Sequence, residues 1–151
     1  MSALLSNAIT VGLLSGVWAY ISTKLGIITW VGFIGCTSYY AAIGQNKKLK
    51  DSLISNIVGI VIGMMIIYGS RFLGDNILGV VVMTTVFSFL MVAQGKLKSL
   101  SFIPGTFLGC CCVFGTNGNW QDTVIAIICG GIFVGYISHI TGNWLYEFCK
   151  K

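Results

Sequence analysis

Charged side chains are scarce in this chain. Asp, Glu, Lys and Arg make up only 9% of its 151 residues, whereas 56% are hydrophobic. A soluble domain of this length needs far more charge to cover its surface. The composition therefore predicts an all-α membrane protein, with residues 1–151 forming one transmembrane domain in a lipid bilayer.

Groups that support catalysis or ion coupling are also few. The chain has four acidic residues and one histidine, and no Asp, Glu, Lys or Arg lies in the middle of an apolar segment, where pumps usually carry such groups. There is no phosphate-binding loop, dinucleotide-binding glycine motif or zinc-protease helix motif. His139 has no obvious carboxylate to orient it as the base of a nucleophile. We expect neither an enzyme nor a resident cofactor or metal.

The net charge of +5 does not indicate nucleic-acid binding, because the nine basic residues are spread over short loops. Five of the six cysteines fall inside apolar segments, where Cys behaves as a small hydrophobe, so we expect mostly free thiols. The consecutive Cys110, Cys111 and Cys112 raise the possibility of a soft-metal site. Consecutive residues of a helix point in different directions, which disfavours it.

Six apolar segments are separated by charged and turn-forming residues. Each is close to the roughly 20 residues that a helix needs to cross the hydrocarbon core. The predicted spans are residues 3–22, 26–44, 52–72, 77–95, 100–117 and 123–146. Six spans place both termini and the second and fourth loops on one side of the membrane.

The basic residues predict which side that is. Lys24 and Arg71 fall on the opposite side, whereas seven lysines share the side of the termini: Lys47, Lys48, Lys50, Lys96, Lys98, Lys150 and Lys151. Because cytoplasmic loops carry an excess of Lys and Arg, both termini are predicted to be cytoplasmic.

The spans also recur. Phe33-Ile34-Gly35-Cys36 returns as Phe107-Leu108-Gly109-Cys110 after 74 residues, and the Gly59/Gly63 pair returns as Gly131/Gly135 after 72. We place the two-residue slip in the intervening loop, where deletions are tolerated. The halves are about 3–73 and 77–147. Three spans per half is an odd number, which predicts two inverted three-helix repeats.

The second and fifth spans are the candidate site. Both are rich in Gly and hydroxyl residues, and the fifth holds the only proline. Interrupted segments at corresponding positions of two halves favour a binding site or pore, although small residues equally allow close helix packing. The candidate lining residues are Phe33, Gly35, Cys36, Thr37, Ser38, Tyr39, Pro104, Thr106, Phe107, Gly109, Cys110 and His139. We assign Gly59, Gly63, Gly131 and Gly135 to helix packing.

Other polar and aromatic residues have structural interpretations. His139 inside a span is a functional hypothesis by default, but an interfacial or packing role is the alternative that we favour. Asp51 and Asp122 are expected to cap the third and sixth helices. The residues expected to form an interfacial aromatic belt are Trp18, Trp30, Trp120, Trp144 and Tyr20.

Three stretches resemble a known family: residues 30–44 (WVGFIGCTSYYAAIG), 102–109 (FIPGTFLG) and 12–18 (GLLSGVW). They are similar to a bacterial family of small inner-membrane proteins catalogued as domain of unknown function 1097. The resemblance covers nearly the whole chain. It implies a multi-helix protein of the bacterial cytoplasmic membrane and no settled activity, so no functional residue is carried over.

The leading functional prediction is a channel or facilitator for a small neutral or weakly polar solute, because a neutral lining gives a bare ion no strong ligands. The path is expected where the two halves meet. A homo-oligomer would help to bury the glycine faces. The alternative is a non-transporting membrane scaffold or assembly partner, and a thiol or soft-metal carrier is a weaker third reading.

Overall fold

The computed structural model describes residues 2–74 and 76–150, and this part of the chain contains helices and no strand. Two short 3₁₀ turns, Gln94–Lys96 and Lys98–Leu100, join the fourth helix to the fifth. Each predicted apolar segment coincides with one helix to within a few residues. Lys151, counted above, lies outside the described residues. The helices are α1 (Ala3–Leu25), α2 (Thr29–Gly44), α3 (Leu49–Phe72), α4 (Ile77–Ala93), α5 (Ile103–Gly115) and α6 (Trp120–Lys150).

Four helical segments are long and apolar enough to cross a membrane: α1, α3, Ile77–Lys96 and α6. The other two are short, since α2 has 16 residues and α5 has 13. At about 1.5 Å per residue they measure roughly 24 and 20 Å, less than the hydrocarbon core of about 30 Å. Both are continuous helices. Pro104 does not interrupt α5, because it lies in the first turn, where proline is tolerated. Six complete crossings remain a prediction.

The irregular helix is α6. Its residues Ala126–Ile132 form a π-helical stretch between two α-helical parts. The spacing between α3 and α6 changes across it, from 71 residues at Asp51 and Asp122 to 72 at Gly59 and Gly131. Because α5 is also three residues shorter than α2, a loop deletion is the wrong account of the two-residue slip. The slip combines a shorter α5 with one extra residue in the π-helical stretch.

The helices from the two halves of the sequence interlock. The most extensive contacts join α3 to α5 and α2 to the π-helical stretch of α6, followed by α1 with the C-terminal part of α6 and α4 with α3. Each long helix, α3 or α6, therefore packs against the first and second helices of the other half. A layer of buried apolar residues lies inside: Trp18, Val31, Ile60, Cys112, Val113, Ala126 and Ile127.

Two turns resemble each other closely. Asn46 follows α2 with φ of 57°, and Asn117 follows α5 with φ of 53°. Asn tolerates this left-handed region better than most residues. The next amide, Lys47 or Gly118, donates back to the preceding helix at 2.9 Å in both turns. The chain therefore reverses in the same way after α2 and after α5.

Asp51 caps its helix as predicted, whereas the side chain that caps α6 belongs to Asn119 and not to Asp122. Asp51 Oδ2 accepts the backbone N–H of Lys48 at 2.8 Å, as expected of a cap at the beginning of α3. Asp122 Oδ2 accepts Nδ2 of Asn119 at 2.7 Å, and its own N–H donates to Oδ1 of Asn119 at 3.3 Å. Both carboxylates stabilise the first turn of their helices.

Trp18 is not part of an aromatic belt, which corrects the prediction for this residue. It is only 6% exposed, and its indole ring lies against Gly32 and Gly130. Its Nε1–H donates to the carbonyl oxygen of Thr29 at 3.0 Å. Glycine at both positions provides the flat surface that the ring needs. The other predicted belt residues are exposed: Trp30, Trp120, Trp144 and Tyr20.

Candidate functional site

Glycines form the crossing between α2 and α6. A methyl group added at Gly35 would collide with the carbonyl oxygen of Ile127 and lie 2.9 Å from the Cα of Gly131. One added at Gly135 would lie 2.9 Å from the ring of Tyr39. The packing role predicted for Gly131 and Gly135 fits these contacts, and Gly35 has the same surroundings.

Corresponding glycines form the crossing between α3 and α5. A methyl group at Gly59 would collide with the carbonyl oxygen of Thr106, and one at Gly109 with that of Asn56. At Gly63 the carbonyl oxygen of Cys110 would lie 3.3 Å away. Backbone atoms close both crossings, so Gly35 and Gly109 face helix backbone. Whether a solute passes near them remains a prediction.

A fully buried polar cluster lies beside the α3–α5 crossing. It consists of Ser38 on α2 with Ser52 and Asn56 on α3, all 0% exposed. The two serine hydroxyls are 3.0 Å apart, and Asn56 Nδ2 donates to the carbonyl oxygen of Ser52 at 2.7 Å and to Ser38 Oγ. Asn56 lies about 10 Å along α3 from the beginning of the helix.

This cluster has spare hydrogen-bonding capacity. Oδ1 of Asn56 and Oγ of the neighbouring Ser55 are buried without a hydrogen-bond partner. A buried unpaired polar atom costs about 1–3 kcal/mol, and such atoms commonly hold an ordered water or a ligand. The Asn56 cluster therefore keeps an unpartnered hydrogen-bond acceptor inside the helix bundle.

Thr106 is a further buried polar residue, on α5. It is 0% exposed, and its hydroxyl accepts a hydrogen bond from Nε2 of Gln94 at 2.8 Å. Ser38 and Thr106 were predicted to belong to the site, whereas Ser52, Asn56 and Gln94 were missed. Asn56 had a detectable signal as an amide well inside an apolar span, but a search for charged residues passes over it.

A second polar group joins α1, α2 and α6. The hydroxyl of Tyr39 lies 3.0 Å from Nδ1 of His139, and that of Tyr40 lies 3.0 Å from Oγ of Ser138. Thr10 Oγ1 donates to the carbonyl oxygen of Ser138 at 2.8 Å. The structure thus brings together two predicted site residues, Tyr39 and His139. This hydrogen bond is compatible with a packing role for His139, and its place in a lining remains a prediction.

A third polar pair lies near the α5–α6 turn. The hydroxyls of Thr116 and Thr123 are 2.8 Å apart, and Thr123 is fully buried. One turn further along their helices, Ile60 follows Asn56 in α3 and Ile127 follows Thr123 in α6. Both isoleucines belong to the buried apolar layer. Each of these polar groups is thus followed, one turn later in its helix, by an isoleucine of the buried apolar layer.

Several predicted lining residues face outward instead. Phe33 and Phe107 are 44% and 36% exposed, and Pro104 is exposed. Thr37 is exposed as well, and its hydroxyl donates to the carbonyl oxygen of Phe33 at 2.9 Å. These four residues do not contribute to the Asn56 cluster.

The cysteines are free thiols, as predicted. Cys110 and Cys112 are buried in the core, Cys111 is exposed, and Cys36 is half-buried. The three consecutive thiols therefore point in different directions and do not form a shared ligand set.

Comparison with known proteins gives a family and several relatives. A family profile described as "Protein of unknown function (DUF1097)" matches residues 8–143. Inner membrane protein YcdZ of Escherichia coli is 44% identical, over 96% of this chain and 89% of its own. The YcdZ protein of Salmonella typhimurium is 40% identical over 96% and 91%. Uncharacterized protein YahC of Escherichia coli is 33% identical over 100% and 98%. No solved structure matches the chain.

Proposed function

The chain belongs to the DUF1097 family of proteins of unknown function. We propose that it is a passive facilitator for a small neutral or weakly polar solute in the bacterial inner membrane. The location is supported by two relatives named as inner membrane proteins and by four helical segments long and apolar enough to span a bilayer. The proposed role requires no catalysis and no cofactor.

The observation that carries the proposal is the buried Asn56 cluster. Asn56, Ser38 and Ser52 present amide and hydroxyl groups without charge, and Oδ1 of Asn56 is unpartnered. Neutral groups of this kind bind uncharged solutes, whereas a bare ion needs a ring of carbonyls or charges. Polar atoms inside a membrane protein cost free energy unless they are hydrogen-bonded within the protein or to a bound solute.

The proposed path lies where two inverted three-helix repeats meet. Three similarities support the inversion: the Gly35–Gly131 and Gly59–Gly109 crossings, the matching turns and the lysine distribution. The path would lead from the Asn56 cluster to the Thr116–Thr123 pair. The apolar layer between them would act as a hydrophobic gate. It is closed while it excludes water and open while it is hydrated.

The exposed faces of α1 support a homo-oligomer as the functional form. Gly12 and Gly16 are one turn apart, and a methyl group added at either would meet no atom within 4 Å. Small residues at this spacing allow helices of neighbouring subunits to approach closely. In this proposal each subunit of the oligomer contains its own path.

A non-transporting scaffold is the second candidate. The observation that favours it is the dense interior, in which Val31, Cys112, Val113 and Ile127 are all 0% exposed. A scaffold needs a rigid interior and no solute path. It predicts normal membrane insertion and assembly with no flux.

Reconstitution into liposomes tests the proposal. Swelling rates are measured with a panel of neutral solutes, such as glycerol and urea, and water permeability is measured by osmotic shrinkage, for wild type, Asn56→Leu and Asn143→Leu. Asn143 is an exposed residue of α6 and controls for the same chemical change outside the site. We expect faster swelling with at least one solute, lost in Asn56→Leu and retained in Asn143→Leu. If no solute enters wild-type vesicles faster than empty ones, the facilitator proposal is abandoned in favour of the scaffold. Equal flux in both variants would mean that the path avoids Asn56.

A further inference from the structure

Lysines from two separate connections line one cavity of about 490 Å³. Lys47, Lys48 and Lys50 come from the turn and first residues of α3, and Lys98 comes from the 3₁₀ turn that precedes α5. The side chain of Ile54 forms an apolar part of the wall. Lysines about 50 positions apart in the sequence thus line the same space.

The cavity carries excess positive charge. Asp51 is the one acidic residue among its lining residues, and its Oδ2 accepts the backbone N–H of Lys48 at 2.8 Å. This carboxylate is therefore engaged at the helix start. Like charges that line one cavity repel one another, and an anion in the cavity would offset that repulsion.

The cavity is also partly organised. Lys47 is half-buried, and its Nζ donates to Oγ of Ser101 at 2.8 Å. That hydroxyl donates in turn to the carbonyl oxygen of Lys98 at 2.8 Å. These bonds connect the α2–α3 turn to the 3₁₀ turn, so the two sources of lysine are held together. The beginning of α3 adds the positive end of its helix dipole.

We propose that this lysine cavity binds a phosphate group, and that the phosphate is the headgroup of an anionic phospholipid. Lysine binds phosphate as a point charge. Basic pockets between transmembrane helices on the cytoplasmic side recognise such headgroups, and this is the side to which the lysines assign the cavity. Ile54, 38% exposed, would contact the first part of an acyl chain. A soluble phosphate compound shares the charge chemistry but makes no use of this apolar wall.

Native mass spectrometry of the full chain in detergent tests the proposal. Phosphatidylglycerol and phosphatidylcholine are added to wild type, to Lys47→Gln/Lys98→Gln and to the control Lys24→Gln/Lys150→Gln. The control removes the same charge at lysines that lie over Tyr20 and Tyr146, with Nζ 5.8 and 5.7 Å from the ring centroids. From the contribution of each lysine near an anionic surface, we expect a fall of about 30-fold in phosphatidylglycerol affinity in the cavity variant. The control and Lys47→Arg/Lys98→Arg should retain it.

Two other outcomes would overturn the proposal, one for the site and one for the assignment of the phosphate group to a lipid headgroup. Equal phosphatidylglycerol binding by the cavity variant and the control would show that the lysine cavity is not the site. Competition with inorganic phosphate separates the two sources of the phosphate group. We expect lipid to remain bound at phosphate concentrations that match those in cells. Displacement of the lipid there would overturn the headgroup assignment in favour of a soluble phosphate compound. None of these results depends on solute flux.

Discussion

Gly35 of α2 and Gly131 of α6 touch backbone to backbone. A methyl group at Gly35 would lie 2.9 Å from the Cα of Gly131 and closer still to the carbonyl oxygen of Ile127. Lipid tails are as apolar as the side chains, so helices in a membrane associate through close contact rather than through a hydrophobic force. At the α3–α5 crossing Gly59 and Gly109 likewise meet helix backbone, that of Thr106 and of Asn56, so both glycine crossings hold the bundle together.

Gly35→Ala should therefore lower the free energy of unfolding. The added methyl group meets helix backbone, which cannot rotate away, and overpacking of this kind costs about 1–3 kcal/mol. Gly44→Ala is the matched control, because Gly44 ends the same helix and a methyl group there meets no atom within 4 Å. Thermal unfolding in detergent, followed by size-exclusion chromatography, measures the difference. Equal midpoints for the two variants would contradict the packing role.

Deleting one residue from the π-helical stretch should be tolerated. Removing Cys129, which is exposed, gives Thr123 and Gly131 the same spacing that Ser52 and Gly59 have in α3. Both ends of α6 can then keep their contacts through a regular α-helix.

Deleting Ile57 from α3 is the matching control. Ile57 is 41% exposed, but α3 is a regular helix there, so its loss rotates the rest of the helix by about 100° and shifts it by about 1.5 Å. We expect a monodisperse protein after the Cys129 deletion and aggregation after the Ile57 deletion. Aggregation of both would show that α6 needs its extra residue.

Tyr39→Phe should cost about 0.5–1.5 kcal/mol, because it removes the hydroxyl group that meets His139 Nδ1 at 3.0 Å. Tyr136→Phe is the control, since Tyr136 is 37% exposed and its ring packs against that of Tyr39 in a T-shaped pair with centroids 6.1 Å apart. Thermal unfolding of each variant in the presence and absence of His139→Ala gives the coupling energy. A Tyr39→Phe effect that persists unchanged without the histidine would contradict the pairing.

The sequence predicted the helices well because hydropathy and charged separators act along one segment of chain. It did not predict that α2 and α5 are shorter than the hydrocarbon core of a membrane. For α5 the reason is that Pro104 signals a helix start as readily as a break. It also could not separate Gly12 from Gly35. Both are glycines in apolar helices, yet only Gly35 faces another backbone, and that depends on which helices pack together.

The candidate site was predicted only in part for the same reason. Ser38 and Thr106 were identified because they lie in the glycine-rich spans, whereas Asn56 lies in the span that we had assigned to packing. The structure places Asn56 against Gly109 and beside Ser38. A contact between three helices leaves no regular pattern in one of them, so the amide itself was the only sequence signal.

The most direct test of the account is the orientation of Lys50 and Gln121. They are separated by 71 residues, as Asp51 and Asp122 are, and both are exposed in the first turn of their helices. Lys50→Cys and Gln121→Cys are each introduced into a chain whose native cysteines are replaced by alanine. Intact bacterial spheroplasts are then treated with a membrane-impermeant maleimide. Inverted repeats predict labelling at Gln121→Cys in intact cells and at Lys50→Cys only after permeabilisation. Labelling of both positions from the same side would contradict the inverted arrangement and the path placed at its junction.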